Sequence, residues 1–225
     1  MESKAFPPEN ASNRAYRAIK EMISQYQLVP GQKITYDQLA KKIRVSKTPI
    51  INALNRLEQE EFVVLVPNRG FFIKEIDIEE VAELFKVREA LEMAVMEVSI
   101  RNQDPKMMRE VEKAMVAHRE YHYDIVTRKR LALDASFHLK IAEMGRNKNL
   151  TRLLRHVFEH IYLRHRSEGI HPKRLITAAE EHQIIFDAIK EKKIGKAKIL
   201  MRQHVRKGKI STITGIQKAT GSFEF

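Results

Sequence analysis

A mainly α protein in two units is what the sequence predicts, and three observations predict it. Two short helical patterns with capping residues lead into a single β-rich hairpin between Ile34 and Ile76. Long amphipathic helical periodicity, with no strand-like alternation, fills the chain from Asp77 on. The change of pattern falls within residues 74–77, with little linker. The expectation is an N-terminal α+β winged helix-turn-helix over residues 1–76, an all-α helical bundle over 77–214 and a mobile polar tail over 215–225.

In order, residues 1–12 are polar with two prolines and predict a frayed end. Residues 13–26 put Ala15, Ile19, Met22 and Ile23 on one side of a first helix, closed by the turn Val29-Pro30-Gly31. Its Arg14 and Arg17 suit phosphate contacts and solvated surface charge equally. Thr35 followed by Gln38 has capping-box spacing and opens a second helix, with Leu39, Ala40 and Ile43 on one face. Arg44-Val45 breaks that helix. Ser46 is the next N-cap candidate, with Pro49 still inside the first turn, where a missing N–H costs nothing. Ile50, Ala53, Leu54 and Leu57 then fall at i, i+3, i+4, i+7. Lys47, Thr48, Ile51, Asn52, Asn55 and Arg56 are left on an outward face that suits a major groove. Phe62–Val66 and Phe71–Ile76, around Pro67-Asn68-Arg69-Gly70, read as a hairpin with an arginine at its tip.

Composition limits the function classes. The 225 residues are enough for two ordinary domains with real cores, and 43% hydrophobic content lies well outside the disordered range. A formal charge of +12 fits a polyanionic partner, and residues 13–56 carry nine Lys or Arg against Glu21 and Asp37. The absence of Cys excludes disulfides and thiolate metal sites and fits a reducing cytoplasm. No segment is apolar enough for a membrane span, and the N-terminus has no apolar signal core.

The second half predicts helices at about 78–102, 105–126, 128–144, 147–167, 174–193 and 195–213, with breaks at Gly145-Arg146-Asn147, at 168–172 and at Gly195. Four polar side chains sit where apolar ones are expected. Asp134 and His138 are one turn apart, in register with Leu131, Ala135, Ile141 and Ala142. His182 shares a face with Ala179, Ile185, Phe186 and Ile189, and His204 follows Leu200 by one turn. One carboxylate and three imidazoles from three helices suit a borderline divalent metal. They suit core histidines bonded to backbone carbonyls as well, and composition leaves the two readings level. Arg88 is in register with Val81, Leu84, Phe85, Leu91 and Val95, with Glu92 one turn later. A buried arginine is costly unless paired, so Arg88 and Glu92 are either a structural pair or part of a clamp for an effector carboxylate. His156, His160 and His165 share one helix without a carboxylate in register, and are read as surface or pocket lining.

These residues resemble a known family. Leu28-x-Pro30-Gly31, Leu39-Ala40, Val45-Ser46-Lys47-Thr48-Pro49, Ala53-Leu54, Arg56-Leu57-Glu58 and Pro67-Asn68-Arg69-Gly70 are similar to the DNA-binding domain of GntR-type bacterial transcription regulators, over about sixty residues. The resemblance implies operator contacts from Thr35, Lys47, Thr48, Pro49, Asn52 and Arg56, and from Asn68, Arg69 and Gly70 of the wing. Three departures from the family stand out: it usually has Arg where Lys47 stands, an Arg-Glu pair at Ile51-Asn52, and Gly at Glu61. The family's base contact therefore does not carry over to Ile51, and Lys47 lacks the bidentate fork of Arg. Asp134-x-x-Phe137-His138, Glu181-His182-x-x-Ile185-x-x-Ala188-Ile189 and the later His204 resemble the effector domain of the branch whose best-known member responds to fatty acyl-CoA. In many members of that branch these four positions bind a metal, and an Arg and a Glu often stand at the spacing of Arg88 and Glu92.

The expected function is a sequence-specific transcriptional regulator, a repressor, acting as a cytoplasmic homodimer on a palindromic double-stranded DNA operator. One zinc, nickel or manganese ion per subunit at Asp134, His138, His182 and His204 is expected to take a small carboxylate effector, with Arg88 and Glu92 beside it. The alternative is a metal-dependent hydrolase or lyase tethered to nucleic acid. The sequence has no H-E-x-x-H, G-x-S-x-G, P-loop or dinucleotide fingerprint to supply such an enzyme's base or nucleophile, so a non-enzyme is expected.

Overall fold

A computed structural model of the chain describes residues 10–121, 128–164 and 172–221. The chain divides into two compact units between Ile76 and Asp77. The first contains α1 (Ala11–Ser24), α2 (Tyr36–Ile43), α3 (Lys47–Gln59), β1 (Val63–Val66) and β2 (Gly70–Ile73). Asn10 opens α1 by accepting from the Ser12 N–H at 2.9 Å. Ala15, Ile19, Met22 and Ile23 are buried as their spacing predicts, and α1 packs on α3, whose Ile50, Ala53, Leu54 and Leu57 are all buried. Thr35 and Ser46 do stand at the N-caps of α2 and α3, but neither side chain makes a capping hydrogen bond. The Thr35–Gln38 capping box is therefore not formed. Both helices are short enough that packing on α1, and not local capping, decides whether they form. Arg14 donates to the Arg44 carbonyl at 3.3 Å, at the left-handed end of α2, which gives it a structural partner.

The strands β1 and β2 pair antiparallel from Val63↔Ile73 to Val66↔Gly70. Asn68 is left-handed (φ 61°) after Pro67, and the Arg69 N–H closes the turn on Val66 O at 3.0 Å. Gly70 has φ 90°, and a Cβ there would lie 3.2 Å from Tyr36 Oη. The opposite edge of β2 holds residues 31–34, with Lys33 bridging Phe72 and the Ile34 N–H donating to Phe71 O at 2.8 Å. That edge is too short to show a strand period, so the sequence gives no sign of it.

The second unit is a bundle of α4 (Ile78–Arg101), α5 (Pro105–Arg119), α6 (Arg128–Met144), α7 (Lys148–Arg164), α8 (Pro172–Lys190) and α9 (Ile194–Gly221). Helix α6 is enclosed by α4, α5 and α7, while α8 packs on α5 and α9, and α9 on α4. The core between them holds Phe85, Val95, Met96, Phe137, Ile141 and Phe158. Asp77, Asp104 and Asn147 each accept first-turn N–H groups of the following helix.

Several boundaries differ from the periodicity. Helix α5 ends at Arg119, short of 126, and residues 122–127, 165–171, 1–9 and 222–225 lie outside the described residues, as do most of the expected frayed end, His165 and the last four tail positions; residues 10–12, expected to fray, instead cap and begin α1. Residues 215–221, expected as a mobile tail, continue α9, because Ile216 follows the buried Thr212 by one turn and keeps an apolar face in the core. Gly195 is no break either: it lies in the first turn of α9, and the reversal is made by Lys192 at φ 57°. At the α6–α7 turn the left-handed residue is Arg146 (φ 57°). Gly145 is needed for a close approach instead, since a Cβ would sit 2.8 Å from Val98 Cγ2 and 2.9 Å from Ser99 Oγ. Among the described residues, no helix is long and apolar enough to cross a membrane.

Candidate functional site

Helix α6 places Asp134 and His138 one turn apart on its inner face, α8 adds His182, and α9 adds His204. One ligand atom from each lies within 4.8 Å of all the others, so the four side chains could hold a metal ion. His182 Nε2 is 3.3 Å from His204 Nε2 and 3.4 Å from Asp134 Oδ1, and His138 Nε2 is 3.9 Å from Asp134 Oδ2. The imidazoles are buried, while Asp134 keeps 19% of its side chain exposed to the adjoining cavity.

A second ring of residues is within hydrogen-bond reach of the outer nitrogens of His182 and His204 and lies close to that of His138. His138 Nδ1 lies 2.8 Å from Glu92 Oε1, His182 Nδ1 3.1 Å from His118 Nδ1, and His204 Nδ1 2.7 Å from Glu181 Oε2. All three rings therefore turn Nε2 toward the same point, which is how outer partners orient metal-ligating histidines. Phe137 stacks on His182 with centroids 4.2 Å apart. Arg88 contacts Glu92 Oε1 at 3.2 Å and His138 Nε2 at 3.0 Å, so it is paired within the core and also stands at the edge of the cluster. Its guanidinium also lies over the Phe158 ring, 4.3 Å from the centroid.

Electrostatics keep the cluster in a donor state. Burial drives His182 well below the ordinary imidazole range, and the neighbouring His204 and His138 push it the same way. Burial also lowers His204, against the opposing hydrogen bond to Glu181, to about 4. Both rings are thus neutral near pH 7, with lone pairs free to bind a cation. Burial alone would raise Asp134, but the fields of His138, His118 and Arg88 outweigh it and hold the carboxyl well below its usual range. Burial would likewise raise Glu181, and the hydrogen bonds from His204 and Lys207 bring it down to about 2.

Asp134 and His204 of the cluster line a cavity with about 600 Å³ of empty space, part of it open to solvent. Arg130 and Arg174 line it with Arg88, and Phe85, Leu131 and Ile161 contribute apolar wall. His118, Glu181, Arg130 and Arg174 have no role in the sequence reading. A signal for His118 was present: Val111, Ala114, Met115 and His118 are spaced i, i+3, i+4, i+7 and all are buried. Arg130 precedes Asp134 by one turn, which also placed it near the cluster. His156 is exposed on α7 and His160 buried beside it, with ring centroids 4.4 Å apart, and neither belongs to the cluster.

In the first unit, Thr35, Lys47, Thr48, Asn52, Arg56, Asn68 and Arg69 are all exposed, with Pro49 and Gly70 half-buried. Ile51 is 38% exposed on the same face of α3. Two of the basic groups already have partners. Lys47 pairs with Asp37 at 3.0 Å, and Arg56 lies over the Tyr16 ring at 3.7 Å while bonding Glu60 at 3.2 Å. Exposed pairs of this kind are weak and exchangeable.

Family models match both units: the model for bacterial regulatory proteins of the gntR family covers residues 11–73, and the FCD domain covers residues 83–207. The chain is a GntR-family regulator with an FCD domain. The regulator is 29% identical over 191 residues to the HTH-type transcriptional regulator YdhC of Bacillus subtilis, covering 84% of each chain. It is 25% identical over 189 residues to the Nta operon transcriptional regulator of Aminobacter aminovorans, covering 83% of this chain and 87% of the relative. Its fold matches the solved E. coli McbR/YncC with a TM-score of 0.76 at 18% identity, over 94% of this chain and 99% of that one. A GntR regulator from Rhodococcus sp. RHA1 gives 0.69 at 18% identity, over 95% and 99%. The mainly helical fold with a two-stranded wing, and the role in DNA-binding transcription regulation, are those the sequence predicts. Regulators of this family bind operator DNA, and FCD domains bind small effectors.

Proposed function

We propose that this regulator is a homodimeric repressor whose affinity for a palindromic operator is set by a small carboxylate effector, bound at a divalent metal held by Asp134, His138, His182 and His204. The observation that carries the reading is the convergence of three Nε2 atoms on Asp134, each ring braced at Nδ1 by Glu92, His118 or Glu181. A donor set of three nitrogens and one oxygen, without thiolate, suits zinc, nickel or manganese. An ion bound there would supply positive charge for an anion. Arg88, braced by Glu92 at the rim, would orient a carboxylate arriving from the cavity.

On the DNA side, Lys47, Thr48, Pro49, Asn52 and Arg56 would meet the major groove, Thr35 a phosphate, and Asn68, Arg69 and Gly70 the minor groove. One winged unit reads one half-site, so a two-fold dimer is required for a palindrome. Effector control requires unequal affinity for the DNA-competent and DNA-incompetent forms. The test is elemental analysis with operator binding, for wild type against His182→Ala and His204→Ala. Metal content should fall from about one ion per subunit to near zero in both variants, with the effector response lost. Unchanged metal content would remove the site; metal lost with the response intact would make it structural only.

A further inference from the structure

We propose that the effector is a diacid, with one acidic group at the four-residue cluster beside Arg88 and a second, separate one held by Arg130 and Arg174. The inference rests on the reading of the cluster given above and assigns the rest of the cavity. Three guanidiniums rooted on α4, α6 and α8 line that cavity. Arg88 reaches His138, while Arg174 lies outside His204, 2.8 Å from Glu181 and 3.5 Å from His204 Nδ1. Arg130 starts one turn, roughly 6 Å, before Asp134 on α6. The two oxygens of one carboxylate cannot serve all three guanidiniums as well as a metal.

Charge supports the same conclusion. Arg88, Arg130 and Arg174 bring three positive charges to the cavity and cluster, and Asp134, Glu92 and Glu181 bring three negative ones, while Lys207 is exposed. A divalent ion therefore leaves an excess of two. A monoacid leaves one of these charges uncompensated in a half-enclosed space where unbalanced charge is costly, and a diacid leaves none. The lining of the cavity agrees as well. Phe85, Leu131, Ile161 and Ala178 wall it with carbon, and Gly208 adds no side chain. A short carbon chain with an acid at each end has that chemistry.

The experiment is calorimetric titration of the metal-loaded, full-length protein with diacids from succinate to adipate, the monoacids of matching length, and inorganic phosphate. At least one diacid should bind about tenfold or more tightly than its matched monoacid and than phosphate. Arg130→Gln and Arg174→Gln, each checked for retained metal, should abolish that advantage by lowering diacid affinity far more than monoacid affinity. Equal binding of diacids and monoacids, phosphate binding as tight as the best diacid, or an unaltered ratio in both variants overturns the proposal. If both acid types bind equally and only to metal-loaded protein, the cluster reading stands while the diacid reading falls. If no acid binds, both fall.

Discussion

Glu61 sits between α3 and β1 with φ 60°, a conformation that costs an L side chain roughly 1–2 kcal/mol and glycine almost nothing. Its Lys74 ion pair at 3.1 Å is exposed and returns little. Glu61→Gly should therefore stabilise the protein by about 0.5–1 kcal/mol net of the freedom glycine gains when unfolded, read as a higher urea midpoint at unchanged slope. A lower midpoint would contradict the backbone argument. His204 gives a pH signature. Its folded-state value is about 4 against the ordinary 6.5, so the unfolded chain binds more protons between those values. The stability contributed by the neutral ring is complete above pH 6.5 and is lost as pH falls toward 4. His204 should contribute about 3 kcal/mol of the loss in chelated protein over that window, with His182 adding to it, and His204→Gln should make the profile shallower. A profile identical to wild type would argue against it. The residue-scale features legible in the sequence were those on one periodic face: register marked Asp134, His138, His182 and His204 as inward-facing, and only the family resemblance favoured a metal over ordinary core histidines. Their Nδ1 partners come from α4, α5 and α8, and which helices adjoin is not written in any local period.

At the scale of elements, helix faces were more legible than helix ends. The buried stripe of α3 was readable residue by residue, because an i, i+3, i+4, i+7 pattern has one inward solution. The ends were not, because a non-glycine can take the left-handed turn and a glycine can serve something else. Gly145 does so at the end of α6, against α4. Gly145→Ala should push Val98 and Ser99 away, strain the 2.6 Å hydrogen bond from Ser99 to the Ile141 carbonyl, and cost about 1–3 kcal/mol. Thermal denaturation should show a lower midpoint with the metal stoichiometry retained, and a midpoint equal to wild type would mean that α4 and α6 can separate without penalty.

At the scale of the whole molecule, the basic excess predicts how DNA binding responds to salt. If Lys47, Arg56 and Arg69 each neutralise one phosphate in each of two subunits, log K should fall with log salt at a slope of about −5. A slope near zero in a fluorescence titration would mean that the outward face of α3 does not meet phosphate. The division between Ile76 and Asp77 was visible as a change of period, while the course of α9 to Gly221 was not, because polar residues outnumber the single apolar contact at Ile216. The chain also holds Tyr26, Arg44, Asn68, Arg146 and Lys192, besides Glu61, in left-handed backbone. Asn tolerates that conformation; the others bear a penalty that glycine would relieve. Relief of about 0.5–1 kcal/mol at each is comparable in sum with much of the net stability of an ordinary domain. Heat tolerance is therefore within reach of mutations confined to turns, and a lineage moving to a warmer habitat could acquire it without altering the core or any residue of the cluster.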